Sequence, residues 1–177
     1  MIPDNWNQIL LKLPQPHILQ SAEWAEHKRE VGWQAEPLIL TGSDGSAIVV
    51  ALVLTRSVKP LGFGPKFSVC YVPRGPLLDW HNADLCRQAL DAIEIYCRSK
   101  KAIFIKIDPE VILGTGIPGN EGEIIDPTGS AAEALLTGRG WRYSSEQIQF
   151  KNTVLIDLAD SEDSWMNRMK QKTRYNI

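Results

Sequence analysis

The chain is poor in the residues from which small extracellular domains and redox or metal centres are built. Its 177 residues include three cysteines, Cys70, Cys86 and Cys97, an odd number without a Cys-x-x-Cys pair. That usage excludes a disulfide framework and fits a reducing, cytoplasmic setting. The three histidines, His17, His27 and His81, have no ligand spacing between them, so no zinc site is expected. The longest apolar run, 47–54, falls far short of the roughly 18 residues that a membrane-spanning helix needs. The opening MIPDNWNQIL is acidic and lacks the apolar core of a signal peptide. No Walker A run, no G-x-G-x-x-G and no G-x-S-x-G occurs, which excludes a P-loop, a dinucleotide fingerprint and a hydrolase nucleophile elbow. Neither sign of charge dominates. Nineteen Lys and Arg against 21 Asp and Glu give a net charge of −2, which excludes a basic nucleic-acid coat protein, and no DNA partner is expected.

What remains has the composition of a globular domain, 44% hydrophobic and 23% charged. Residues 1–19, broken by Pro3, Pro14 and Pro16, read as irregular. Ser21 is placed to cap a helix that has Glu23 in its first turn and stops at Gly32. Trp24, Ala25, Lys28 and Val31 share one stripe of that helix, so Lys28 lies beside its apolar face. EPLILT and SAIVVALVLTR flank a Gly-Ser-Asp-Gly-Ser turn and predict a β-hairpin, and LGFGPK predicts a further turn. FSVCYV is a strand whose ladder ends at Pro73. Asn82 is placed to cap a long helix with Leu85, Ala89, Ile93 and Tyr96 on its buried side. AIFIKIDP reads as a strand in a sheet interior. Residues 110–129, with Gly114, Gly116, Gly119 and Gly122, read as a loop. A short helix ending at Gly138 or Gly140 comes next. WRYSSEQIQF and NTVLIDL then read as two strands. Asp160 or Ser161 caps a final helix that carries no stop signal before Ile177, so a further domain is expected to follow it. Strands alternating with helices, one pair of them a tight hairpin, predict an α/β fold with a mixed sheet.

Three constellations bear on function. In YVPRGPLLD, two prolines around Arg74-Gly75 make a rigid turn at a strand end. It is either a turn closed by an Arg74–Asp79 ion pair or a ligand-binding loop held by the scaffold. Asp108 in KIDP reads as capping a strand end. The run from Trp165 onward holds Arg168, Lys170, Lys172 and Arg174 and no acid. It is either a solvated face or a site where Arg174 and the adjacent Tyr175 grip a phosphate and stack on a base or sugar. Lys28 alone reads as a lysine whose stem lies along an apolar surface.

In this order, SAEWAEHK, YVPRGPLLD, IFIKIDPE and the tail with Gln149 to Thr153 and KTRYNI resemble the Fem (FemABX) family of peptidoglycan aminoacyltransferases. The resemblance implies a GNAT-like domain, of the acyl-CoA N-acyltransferase type, over 1–160. Residues 161–177 would then start the helix that leads into a second such domain. It implies transfer of an amino acid from aminoacyl-tRNA, with no cofactor, to the stem peptide of a cell-wall precursor. That precursor would be UDP-MurNAc-pentapeptide or its lipid-linked form. It further implies that Lys28 and Arg174, with Tyr175 beside it, hold the diphosphate, and that Tyr71 and Asp79 contact the precursor. The catalytic residues would belong to the second domain. Two alternatives stay open: a GNAT-type enzyme using acyl-CoA, and a non-catalytic cell-envelope binding module. GTGIPGNEGE, the nearest thing to a pyrophosphate turn, carries acids and no basic residue, which argues against acyl-CoA.

Overall fold

Strand β2, Ala47–Val58, carries the architecture. Its alternating side chains build two cores, because successive residues of a strand point to opposite faces. The computed structural model describes residues 1–58, 66–154 and 159–176. The LGFGPK turn and the 155–158 end of NTVLIDL therefore lie mostly outside the described residues. The chain forms two compact units, Met1–Arg142 and Tyr143–Ile177.

In the first unit, β1 (Gln34–Thr41) pairs antiparallel with β2, as the hairpin reading requires. The other edge of β2 is shared. β3 (Phe67–Val72) pairs with its second half and the short β4 (Leu77–Leu78) with its first. The Pro73–Pro76 segment thus crosses a gap in the ladder, opposite residues 51–53. Helix α1 (Trp6–Leu10) and helix α2 (Ala22–Glu30) cover one face. There Trp6, Leu10 and Ala25 pack with Val50, Leu52, Leu54, Tyr71 and Leu77. Helix α3 (Ala83–Ser99) covers the other, its Ile93 and Cys97 meeting Ala51, Val53, Cys70 and Val72. Caps fall where the sequence puts them. Ser21 accepts from Trp24 N–H at 3.1 Å and Asn82 from Leu85 N–H at 3.0 Å.

Several expectations are corrected. The N-terminal stretch is not wholly irregular: α1 is anchored by Trp6, whose indole N–H donates to the Gln20 carbonyl at 2.7 Å, and a 3₁₀ turn spans Ile18–Gln20. β5 (Ala102–Ile107) is parallel to β3 but is the end strand of the described sheet, not an interior one. The crossover through α3 places it outside β3, and a bulge opposite Ser68/Val69 leaves both Ile103 and Phe104 exposed. Within 110–129, Gly114–Thr115 (β6) and Ile124–Ile125 (β7) form a small hairpin with positive φ at Gly116, Gly119 and Gly122. Helix α4 runs Pro127–Gly138, capped by Asp126, and so starts earlier than expected. Gly129 in its first turn is a requirement of packing. A Cβ there would lie 2.2 Å from the Ile112 carbonyl oxygen and 2.7 Å from Leu113 Cα. Gly129→Ala should therefore cost on the order of 1–3 kcal/mol in a denaturant titration. Gly138→Ala, with nothing within 4 Å, should be neutral or slightly stabilising. Equal stability of the two variants would contradict this packing.

The described part of 141–154 holds no strand. Its polar side chains bond nearby backbone instead. Ser144 donates to the Glu146 carbonyl and Gln147 accepts from Lys151 N–H, in competition with ladder formation. Among its described residues the second unit otherwise holds α5 (Glu162–Arg168), capped by Ser161, and α6 (Gln171–Tyr175). The single final helix expected from the sequence is thus two, separated by extended Met169 and Lys170. Neither has a buried residue, and propensity alone does not sustain a long helix.

Candidate functional site

The parallel strands β3 and β5 end side by side, with Val72 opposite Ile107. The segments that continue from these two ends form the site. After β3 come Pro73, Arg74, Gly75 and Pro76, with the Gly75–Pro76 bond cis and Arg74 at φ +49°. Both prolines are fully buried. The turn is held from two sides. On one, Gln20 fills the gap in the ladder. Its side-chain carbonyl accepts from Leu52 N–H at 2.6 Å and its amide donates to the Pro73 carbonyl. On the other, Asp108, just beyond β5, accepts from the Tyr71 hydroxyl at 2.7 Å and from Arg74 N–H at 2.6 Å. Burial pushes the Asp108 carboxyl above its ordinary range, and these bonds oppose the shift.

The side chain of Arg74 turns to Glu110, with 3.6 Å between Nη1 and Oε1. Asp79 does not pair with it, so the ion pair expected within the turn is replaced by one across to the loop after β5. His17 Nε2 lies 4.0 Å from the same Glu110 oxygen, while His17 Nδ1 accepts from Leu19 N–H at 3.0 Å. Burial lowers the pKa of His17, and a neutral ring with Nδ1 accepting carries its proton on Nε2, toward Glu110.

Glu110 and Asp79 both line a cleft of about 130 Å³ built from residues 14–15, 78–81 and 110–112 with Asp126 and Thr128. Pro14, Leu78, Trp80 and Ile112 give it an apolar wall. Asp79 accepts from His81 N–H at 3.0 Å, and the His81 ring meets the Thr128 hydroxyl at 3.0 Å. Three carboxylates, Asp79, Glu110 and the helix-capping Asp126, beside an apolar wall suit a cationic amine on an apolar stem. Tyr71 stands behind this cleft, its ring in the core and its hydroxyl on Asp108.

Lys28 is not among the cleft residues. It is half-buried on the last turn of α2, with Nζ 4.5 Å from the centroid of the Trp24 ring. Its helix covers the sheet face to which Tyr71 points. Arg174 and Tyr175 are exposed on α6 in the second unit. Sequence reasoning passes over Gln20, Glu110 and His17, and gives Asp108 only a capping role. A lone buried glutamine has no periodicity to mark it, whereas the acids of IDPE, directly after an apolar strand, are a usable signal. The cysteines lie elsewhere. The Cys70 thiol is drawn below its ordinary range, chiefly by the neighbouring Cys97 thiol, yet both are fully buried between sheet and α3. Among the described residues, no group of three or more His, Cys, Asp and Glu could hold a metal ion. Among them, too, no helix is long and apolar enough to cross a membrane.

The cleft lies at the carboxyl ends of the two parallel strands of a mixed sheet, the place where α/β folds carry their binding loops. The chain belongs to the FemAB family, whose model matches residues 4–177. It is 27% identical over 164 residues to Lipid II:glycine glycyltransferase of Staphylococcus aureus, a match covering 93% of this chain and 36% of that protein. The crystal structure of FemX superposes with a TM-score of 0.70 at 24% identity, over 96% of this chain and 39% of that one. The expected mixed α/β fold is thus the fold of FemX. The chain spans little more than a third of the length of the curated relatives it matches.

Proposed function

We propose that this chain is the precursor-binding half of a cytoplasmic, non-ribosomal aminoacyltransferase. The transferase adds amino acids from aminoacyl-tRNA to the peptidoglycan stem peptide. The observation that carries the reading is the cleft in which Asp79 and Glu110 stand beside an apolar wall. Such a cleft suits the acceptor amine, which a carboxylate orients or, with a suitable pKa, deprotonates. Lys28 on α2 holds the diphosphate that UDP-MurNAc-pentapeptide and the lipid-linked precursor share, and Arg174 and Tyr175 are precursor-binding residues of their own unit. An ammonium supplies a point charge and a guanidinium a fork. Aminoacyl-tRNA needs no further cofactor. A second domain that follows residues 161–177 completes the cleft and supplies the catalytic groups. Residues 1–177 alone bind precursor and transfer nothing, because transfer needs both substrates in near-attack geometry.

Calorimetric titration with UDP-MurNAc-pentapeptide and, separately, with acetyl-CoA tests this reading. Saturable binding of the first and none of the second is expected. Binding of acetyl-CoA alone would make the chain an acyl-CoA-dependent acyltransferase. Binding of neither would overturn the precursor-binding role.

A further inference from the structure

Asp108 does not line the cleft, yet it ties together the two strand ends from which the site is built. It is the first residue beyond β5. Its two carboxylate oxygens take up separate donors on the neighbouring strand end, the Tyr71 hydroxyl at 2.7 Å and Arg74 N–H at 2.6 Å. An ionised carboxylate only accepts, so both bonds fit it without compromise. The second bond fixes Arg74 where a side-chain-bearing residue rarely sits, at φ +49°. From that backbone position the guanidinium reaches Glu110, 3.6 Å away, and Glu110 faces the cleft. Asp108 and Glu110 flank Pro109, whose fixed φ limits how far one can move without the other.

We infer that Asp108 is a positioning residue, fixing the left-handed turn at Arg74 and, through Arg74, the Glu110 carboxylate at the cleft. It acts on a bound ligand without touching it. The inference rests on the reading that the cleft takes the precursor.

The test uses the full chain labelled with ¹⁵N, with UDP-MurNAc-pentapeptide as probe. In Asp108→Ala, exchange of the Arg74 amide should quicken at least tenfold and precursor affinity should fall about tenfold. Asp108→Asn keeps an oxygen for the Arg74 amide, and the Tyr71 hydroxyl can turn to accept from its new NH₂, so it should stay within about threefold of the parent in both. Glu110→Gln, at a partly exposed position, should reproduce the affinity loss while leaving the Arg74 amide protected, and it decides the point if Asp108→Ala does not fold. Parental affinity in folded Asp108→Ala, or in Glu110→Gln, overturns the inference, as does an Asn variant no better than Ala. Should the parent chain bind no precursor, the functional reading fails by itself. The Arg74 amide then decides the positioning role, and unchanged exchange in Asp108→Ala would refute it.

Discussion

Gln20→Ala should lower the stability of the chain by about 2–5 kcal/mol, the largest loss expected from any one polar side chain. The variant strands two buried backbone groups, Leu52 N–H and the Pro73 carbonyl, at a point where no strand can replace the lost partner. Each unsatisfied group costs about 1–3 kcal/mol. For a chain of this length the loss corresponds to a fall in Tm of roughly 4–20 °C. Gln20→Glu gives the sign a second check. A carboxylate can accept from Leu52 but cannot donate to Pro73, whereas a protonated carboxyl can do both. Its folded pKa is therefore raised, so the bridging contribution is present at low pH and is lost as pH rises through that value. Thermal scans of Gln20→Glu should show stability recovering on acidification relative to the parent. A Gln20→Ala variant melting within about 2 °C of the parent, well short of the fall just given, would show that the ladder gap needs no side chain.

Lys28→Ala should weaken binding of UDP-MurNAc-pentapeptide by about ten- to a hundredfold, the equivalent of about 1.5–3 kcal/mol for one charge-assisted contact. Lys28 is on the last turn of α2, about 9 Å along the helix axis from Ala22 at 1.5 Å per residue, and α2 begins beside the Gln20 bridge. A five-residue stem peptide reaches about 17 Å when extended. The precursor is thus long enough for its diphosphate and its acceptor amine to bind at separate places. Lys28→Met separates charge from packing, since its stem can still lie against Trp24, and it should lose as much affinity as Ala. Arg174→Lys should restore only part of what Arg174→Ala loses, because a point charge does not replace the planar fork. Lys170→Ala, on a solvated face, should change affinity by less than about twofold. Parental affinity in a folded Lys28→Met chain would remove Lys28 from the diphosphate site.

The parts of the fold legible in the sequence are those written in repeated signals. Alternation through 47–54 announces β2 and the hairpin, and the Leu85, Ala89, Ile93 series announces α3. The caps at Ser21, Asn82 and Ser161 mark their helices because a side-chain oxygen before a helical stretch has one local use. The missing parts depend on a single residue or on what lies beyond the segment. AIFIKI is apolar throughout, which says that it wants covering but not which strand lies on its outer side. The segment 141–150 has apolar residues at strand spacing, but Ser144 and Gln147 make local bonds that a pattern of polarity does not register. At the site, YVPRGP is recognisable as rigid from its prolines, and Asp79 does line the cleft. The partner of Arg74 is left open by the sequence, since a charge five residues away competes with one brought in by a neighbouring strand. Gln20 illustrates the limit best: a buried amide bridging Leu52 and Pro73 becomes meaningful only when both are seen together.

The rim of β5 has a consequence for how copies of this chain meet one another. Among the described residues no strand pairs with its outer side, so a row of N–H and C=O groups is left there without ladder partners. Ile103 and Phe104 stand exposed along the same strand. Such a rim templates any extended chain that reaches it, another copy included. Lys101 and Lys106 bracket the apolar stretch, and their like charges work against two rims lying side by side. Raised salt, which shortens the range of charge repulsion, weakens this protection of the edge.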